Sequence, residues 1–266
     1  MSLAENIEFL SRLPKPGDWP IYGRGLHGEP SSPLHEMRGF GSNPGNLRMF
    51  MFAPARLQQP RALVVVLHGC GQTAASYDLG AGWSTLAKHS GFALLLPQQQ
   101  SANNANGCFN WFNTDDIARG HGEACSIRQM IARMVHDYNI DPRRIFVTGL
   151  SAGGAATINT AFSRPELFRY VVIMSAGAPA NVDQLYPSFF GASGAAAKAL
   201  RLVWVSAGSE DFALNGSKTL DEALTKNGIK HSFTTRAGYR HEWRLWRQDL
   251  WEFAPLLFKE PAKGTN

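Results

Sequence analysis

Apolar positions along the chain fall into short blocks of two kinds. In the first kind the apolar residues are consecutive. Ala62–Leu67, Phe92–Leu96, Ile145–Thr148, Tyr170–Met174 and Leu202–Ser206 are runs of strand length. Such runs, bounded by turn formers, predict strands buried on both faces, as in the middle of a parallel sheet. Pro97 is read as the stop of the second run. Leu47–Phe52 alternates, and His231–Thr235 is rich in β-branched and aromatic residues, so each adds a strand. In the second kind the apolar residues recur at three- and four-residue steps. Gly122–Tyr138 carries Ile127, Met130, Ile131, Met134, Val135 and Tyr138 on one stripe, which predicts an amphipathic helix with its methionines in the core. Trp83–Ser90, the segment from Ala152, Ser217–Asn227 with Gly228 at its end, and Glu242–Phe258 with Trp246, Leu250, Phe253 and Leu257 on one face are the other helices.

Strands and helices alternate, which predicts an α/β fold with a mostly parallel central sheet and helices on both faces. Residues 1–45 are rich in Pro, Gly and Ser and read as an irregular arm, with a short helix near Asn6–Leu13. Residues 46–260 read as a single domain, with no internal repeat and no linker. Gln98–Thr114 is a long, Asn-rich connection ending in Phe109, Trp111 and Phe112, and loops of that length inside a domain are often functional.

Composition narrows the partners. Hydrophobic residues make up 44% of 266 and charged residues 18%, enough to bury a large core. The net charge of +5 and pI of about 9.2 come without any Lys/Arg run, so nucleic acid is not expected as a partner. No apolar run approaches the length of a membrane span, so no membrane partner is expected either. The start has neither a basic nor an apolar leader region; the chain is cytoplasmic if Met1 is the native start and extracellular if a leader was removed. Cys70, Cys108 and Cys125 lack zinc-site spacing, so no metal is expected; one disulfide with a free thiol and three thiols both fit.

The chemistry centres on Gly149-Leu150-Ser151-Ala152-Gly153. This G-x-S-x-G sequence leaves a buried strand and enters a run of small residues, the strand–turn–helix setting of a nucleophile elbow. A serine hydroxyl needs a general base, and the base needs an orienting carboxylate. Of the histidines after Ser151, His231 opens a predicted strand, whereas His241 lies in a loop from which it can reach back, so His241 is the candidate base. Asp211, in the exit loop of the preceding strand, is the candidate acid; Glu210 is its neighbouring substitute, and Asp183 and Asp221 fit less well. The backbone N–H groups of Ala152 and of Cys70, in His68-Gly69-Cys70-Gly71, are the candidate oxyanion donors. His68 follows a strand and precedes the serine, which suggests a loop brace rather than the base.

Several stretches carry a family resemblance. Phe40-Gly-Ser-Asn-Pro-Gly, Leu67-His-Gly-Cys-Gly-Gln, Asn103 to Phe112, Arg119-Gly-His-Gly-Glu and Thr148 to Gly154 resemble the polyhydroxybutyrate depolymerase family of α/β-hydrolase esterases. Pro165-Glu-Leu-Phe, Ser175-Ala-Gly-Ala, Ala207-Gly-Ser-Glu-Asp211 and Gly238-Tyr-Arg-His-Glu-Trp-Arg-Leu-Trp246 are similar to the feruloyl and acetyl-xylan carbohydrate-esterase branch of the same fold. The resemblance implies an α/β-hydrolase fold, cofactor-free ester hydrolysis through an acyl-serine, and a Cys70–Cys108 disulfide beside the site with Cys125 unpaired. It also implies that the acid and base of the second group fall on Asp211 and His241.

The expected substrate is a small-molecule or polymeric ester. Gly177–Lys198, where such enzymes insert a lid, is short and rich in Ala, Gly and Ser, which predicts a minimal lid over an open cleft. Trp111 and Phe112 are candidates for holding an acyl chain or aromatic ring, with core packing the alternative; Trp243 is a candidate beside His241, while Trp246 and Trp251 are assigned to the helix-face core. An acyltransferase, in which an alcohol intercepts the acyl-serine, and a non-catalytic binding protein on the same scaffold are the alternatives. Either a monomer or a homodimer is compatible with the sequence.

Overall fold

The computed structural model describes residues 32–117, 120–191 and 200–257. At its centre is β3 (Leu63–Leu67), whose five side chains are all buried. Leu63, Val65 and Leu67 face one core while Val64 and Val66 face another, so the uninterrupted apolar run reflects burial on both sides. Around it lie β1 (His35–Met37), β2 (Arg48–Phe52), β4 (Ala93–Gln98), β5 (Ile145–Leu150), β6 (Tyr170–Met174), β7 (Leu202–Gly208) and β8 (Ser232–Arg236), in the order β1-β2-β4-β3-β5-β6-β7-β8. Strands from β4 to β8 pair in parallel, and β1 and β2 add an antiparallel edge.

The helices divide between the two faces. On one side α1 (Ala74–Ala81), α2 (Trp83–Ser90) and α9 (Trp243–Leu257) bury Tyr77, Trp83, Leu86, Leu245, Leu250 and Phe253. On the other, α4 (Gly122–Tyr138), α5 (Ala152–Phe162) and α8 (Leu214–Lys226) bury Ile127, Met130, Met134, Ile158, Leu220 and Leu224. The remaining helices α3 (Thr114–Ile117), α6 (Val182–Leu185) and α7 (Pro187–Phe190) are single turns. This is the mostly parallel, two-sided α/β arrangement expected from the pattern, and the fold that the resemblance implies. No described helix is long and apolar enough to cross a membrane.

Two local expectations are corrected, and one unexpected helix appears. The arm to residue 45 is not wholly irregular: β1 pairs with β2, and the Ser32 hydroxyl donates to buried Asp78 at 2.7 Å. Its expected helix near Asn6–Leu13, like residues 192–198 of the lid connection, lies outside the described residues. Pro97 does not end β4. It pairs with Met49 of β2, past the last β3 pairing at Leu95, so a proline without N–H is tolerated there. Helix α1 was not anticipated, because its sequence AASYDLGA has little apolar periodicity; a capping box between Thr73 and Ser76 starts it, and Gly82 at φ 86° ends it.

The parallel topology decides where loops meet. The carboxyl ends of β3, β5, β6, β7 and β8 lie along one edge, and from them emerge His68–Cys70, Ser151, Ser175, Asp211 and the loop holding His241.

Candidate active site

Ser151 sits between β5 and α5 at φ 55° and ψ −126°, a backbone state that ordinary residues avoid. The turn is held from both sides. Ser151 N–H donates to Met174 O at 3.0 Å, and Ala155 N–H donates to Ser151 O at 3.1 Å. Packing also explains the flanking glycines. A Cβ on Gly153 would lie 2.0 Å from Leu67 O, and one on Gly149 would lie 2.2 Å from Gly153 O. No side chain fits either position without moving the backbone, so the sharp turn and the β3–α5 contact both require glycine. Ala152 opens α5, where first-turn N–H groups have no partner within the helix.

Asp211 follows β7 and is 5% exposed, and its Oδ1 lies 2.9 Å from His241 Nδ1. Oδ1 also accepts from Ala213 N–H at 2.9 Å. Burial pushes the Asp211 carboxyl up, but the hydrogen bonds from His241 and Ala213 N–H and the nearby Ser175 hydroxyl outweigh it and hold it below the usual value. The His241 ring is sandwiched: Phe212, 79% exposed, lies 4.2 Å away on one side, and Trp246 meets it edge-on at 5.1 Å. The rival groups are occupied elsewhere. Glu210 pairs with Arg240 at the surface, Asp183 with Lys226, and His231 with Asp221 and the Ile229 carbonyl.

The loop after β3 is braced by buried polar groups. His68 Nδ1–H donates to Gly69 O at 2.7 Å, and Nε2 accepts from Gln99 N–H at 3.0 Å. Both ring nitrogens are used, and burial lowers the His68 pKa to about 4, so the ring is a neutral strut. A Cys70–Cys108 disulfide and a 2.9 Å bond from Gly71 N–H to Asn106 O tie this loop to residues 99–113. That second loop is anchored in turn by Glu123, which accepts from Asn110 N–H at 2.8 Å and from the Gln99 amide. Cys125 is a free thiol.

Trp111 and Phe112 are 43% and 64% exposed and touch edge to face, so neither is core. Phe112 rims a depression of about 620 Å³ lined with Asn103, Asn104, Asn110 and Asn113. Trp243 packs against Tyr77 and Gly80 of α1, and the indole beside His241 belongs to Trp246. Sequence reasoning missed Ser175, Phe212 and the contact of Trp246 with His241. Ser175 had one usable signal, since it follows a buried strand as Ser151 does. Among the described residues no group of three or more His, Cys, Asp or Glu could hold a metal ion.

A strained serine, an aspartate–histidine pair and a braced glycine loop along one edge of such a sheet define the α/β-hydrolase class. A solved acetyl xylan esterase from Aspergillus awamori superposes with a TM-score of 0.65 over 84% of this chain and 99% of that one, at 19% identity. The family model "Esterase PHB depolymerase" matches residues 48–180, half of the chain, and the chain belongs to that family. A poly(3-hydroxyalkanoate) depolymerase C from Paucimonas lemoignei is 50% identical over 135 residues, which are 51% of this chain and 32% of that protein. An acetylxylan esterase from Coprinopsis cinerea is 31% identical over 162 residues, 60% of this chain and 43% of that protein. The chain thus spans less than half the length of these curated relatives.

Proposed function

We propose that the chain is a serine carboxylic-ester hydrolase acting on short-chain or polymer-linked esters. The observation that carries this reading is the 2.9 Å contact of the buried Asp211 carboxylate with His241 Nδ1, at the same sheet edge as the strained Ser151 turn. In this reading Ser151 Oγ attacks the ester carbonyl and His241 Nε2 takes its proton. Asp211 fixes the tautomer and stabilises the imidazolium, and the N–H groups of Cys70 and Ala152 receive the oxyanion. His241 then returns the proton to the departing alcohol, and water releases the acid from Ser151.

The names of the relatives favour polymeric substrates, a polyhydroxyalkanoate or an acetylated polysaccharide. Exposed Trp111, Phe112 and Phe212 favour an apolar acyl or aromatic group at the mouth. The Cys70–Cys108 disulfide favours the extracellular alternative. Hydrolysis of nitrophenyl butyrate, methyl ferulate, acetylated xylan and polyhydroxybutyrate by wild type and Ser151→Ala tests the proposal. The substitution is expected to lower turnover by roughly 10⁴-fold or more without unfolding the chain. Full activity in Ser151→Ala, or inertness of wild type towards every ester, would sink it.

A further inference from the structure

Five described residues other than glycine have positive φ: Asn43, Asn46, Asn139, Ser151 and Ser175. Asparagine tolerates this state, but serine does so less readily. The two serines occupy equivalent places. Leu150 pairs with Met174 in the β5–β6 ladder, so each serine is the first residue beyond its strand. The Ser151 conformation is explained by the nucleophile turn. That of Ser175 has no such account in the reaction as written.

The surroundings of Ser175 supply one. It is 1% exposed, and its N–H donates to Ser206 O at 2.7 Å, which pins the backbone to β7. Its Oγ accepts from Trp246 Nε1–H at 2.8 Å. An indole nitrogen only donates, so the serine keeps its own proton for another acceptor. The Asp211 carboxylate is beside it, and Ser175 is among the groups that hold that carboxyl below its usual value. Oδ1 already receives His241 and Ala213, whereas Oδ2 is buried and has no partner within hydrogen-bond geometry. A buried carboxylate oxygen without a donor is costly, and a turn of the Ser175 hydroxyl supplies one.

We propose that Ser175 is a positioning residue that relays the Trp246 N–H through its own hydroxyl to Asp211 Oδ2, so that Oδ1 stays aimed at His241 Nδ1. Trp246 serves the pair twice, since its ring edge also backs the imidazole. Among the groups near His241, Asp211 is the ionised one in contact with its ring. Arg240, Glu210, Arg244 and Glu242 engage one another at the surface.

This inference rests on the esterase reading, and the test separates the two. Ser175→Gly removes the hydroxyl while relieving the positive φ; Ser175→Ala removes the hydroxyl and keeps the strain. Each is compared with wild type in melting temperature, steady-state kinetics on a nitrophenyl ester and the rate of Ser151 phosphonylation by a fluorophosphonate. Both variants are expected to lose about tenfold in kcat with little change in KM, and Ser175→Gly melts no lower than Ser175→Ala. A carboxylate relieved of one donor becomes a stronger acceptor for the His241 Nδ1–H. The acidic limb of kcat/KM is therefore expected to move up by roughly half a pH unit. Trp246→Phe shifts the limb the same way by less. If Ser175→Gly restores wild-type kcat and pH profile, the residue matters only for its backbone and the relay is wrong. If wild-type Ser151 does not react with the fluorophosphonate at all, the esterase reading falls and takes the relay with it.

Discussion

The two halves of the site are built by opposite means. On the Ser151 side, shape does the work. Ser151 is held by main-chain bonds to Met174 and Ala155, and Gly149 and Gly153 are fixed by backbone oxygens 2.2 and 2.0 Å from where a Cβ would be. On the Asp211–His241 side, side chains do the work. Asp211, Ser175 and the His241–Trp246 stretch come from three separate segments, and each of the four side chains is placed by contact with another of them. Steric exclusion tolerates no substitution but leaves no adjustable partner. A polar network tolerates substitution in the fold but not in the chemistry. Changes at the flanking glycines should therefore register as lost stability, and changes in the polar network as lost turnover.

The sharpest test is Asp211→Asn. It keeps the volume but no longer selects the Nδ1–H tautomer of His241, so kcat should fall by roughly 10³–10⁴-fold while the melting temperature changes little. Loss of the fold instead would erase the distinction between the halves. Gly153→Ala should do the reverse. A methyl group 2.0 Å from Leu67 O forces α5 off β3, and a loss of about 4 kcal/mol or more should appear in denaturant unfolding.

The braces around the loop after β3 mix both strategies and should give intermediate effects. Replacing Cys70 and Cys108 by serine opens a link between residues 38 apart and should cost about 2–4 kcal/mol in thermal unfolding. The smallest effect is expected at Glu123. Burial is the main cause that pushes its carboxyl up to about 7 from an ordinary 4.5, against the opposing bonds from Asn110 and Gln99. The folded state thus prefers the protonated acid. Its contribution to stability is complete below the unfolded value of 4.5 and is lost as pH rises through about 7. Glu123→Gln should flatten the pH dependence of the melting temperature between about pH 5 and pH 8. An unchanged slope would show that Glu123 does not control it.

Legibility followed the same division. The elbow could be read because one contiguous stretch, Gly149–Gly153, encodes its own geometry: the glycines state where nothing fits. Helix α4 was read to the residue for the same reason, its stripe of Ile127, Met130 and Met134 being local and periodic. Helix α1 was missed because a capping box and small residues, not a stripe, make it. Pro97 was misread as a stop because tolerance depends on which neighbour stands opposite. Trp243 and Trp246 are both aromatic residues of α9, and nothing in their spacing says which ring backs His241.

The amino-acid sequence by itself determined the alternation of strands and helices, the turn at Ser151 and the residue types able to act as acid and base. Each of these depends on neighbours within a few positions. Tertiary structure alone decided that Asp211 rather than Glu210 meets His241, that Trp246 rather than Trp243 backs the ring, and that Ser175 stands beside the acid. Those outcomes depend on strand order, because in a parallel sheet the loops that meet at one edge are separated in the chain by whole helices.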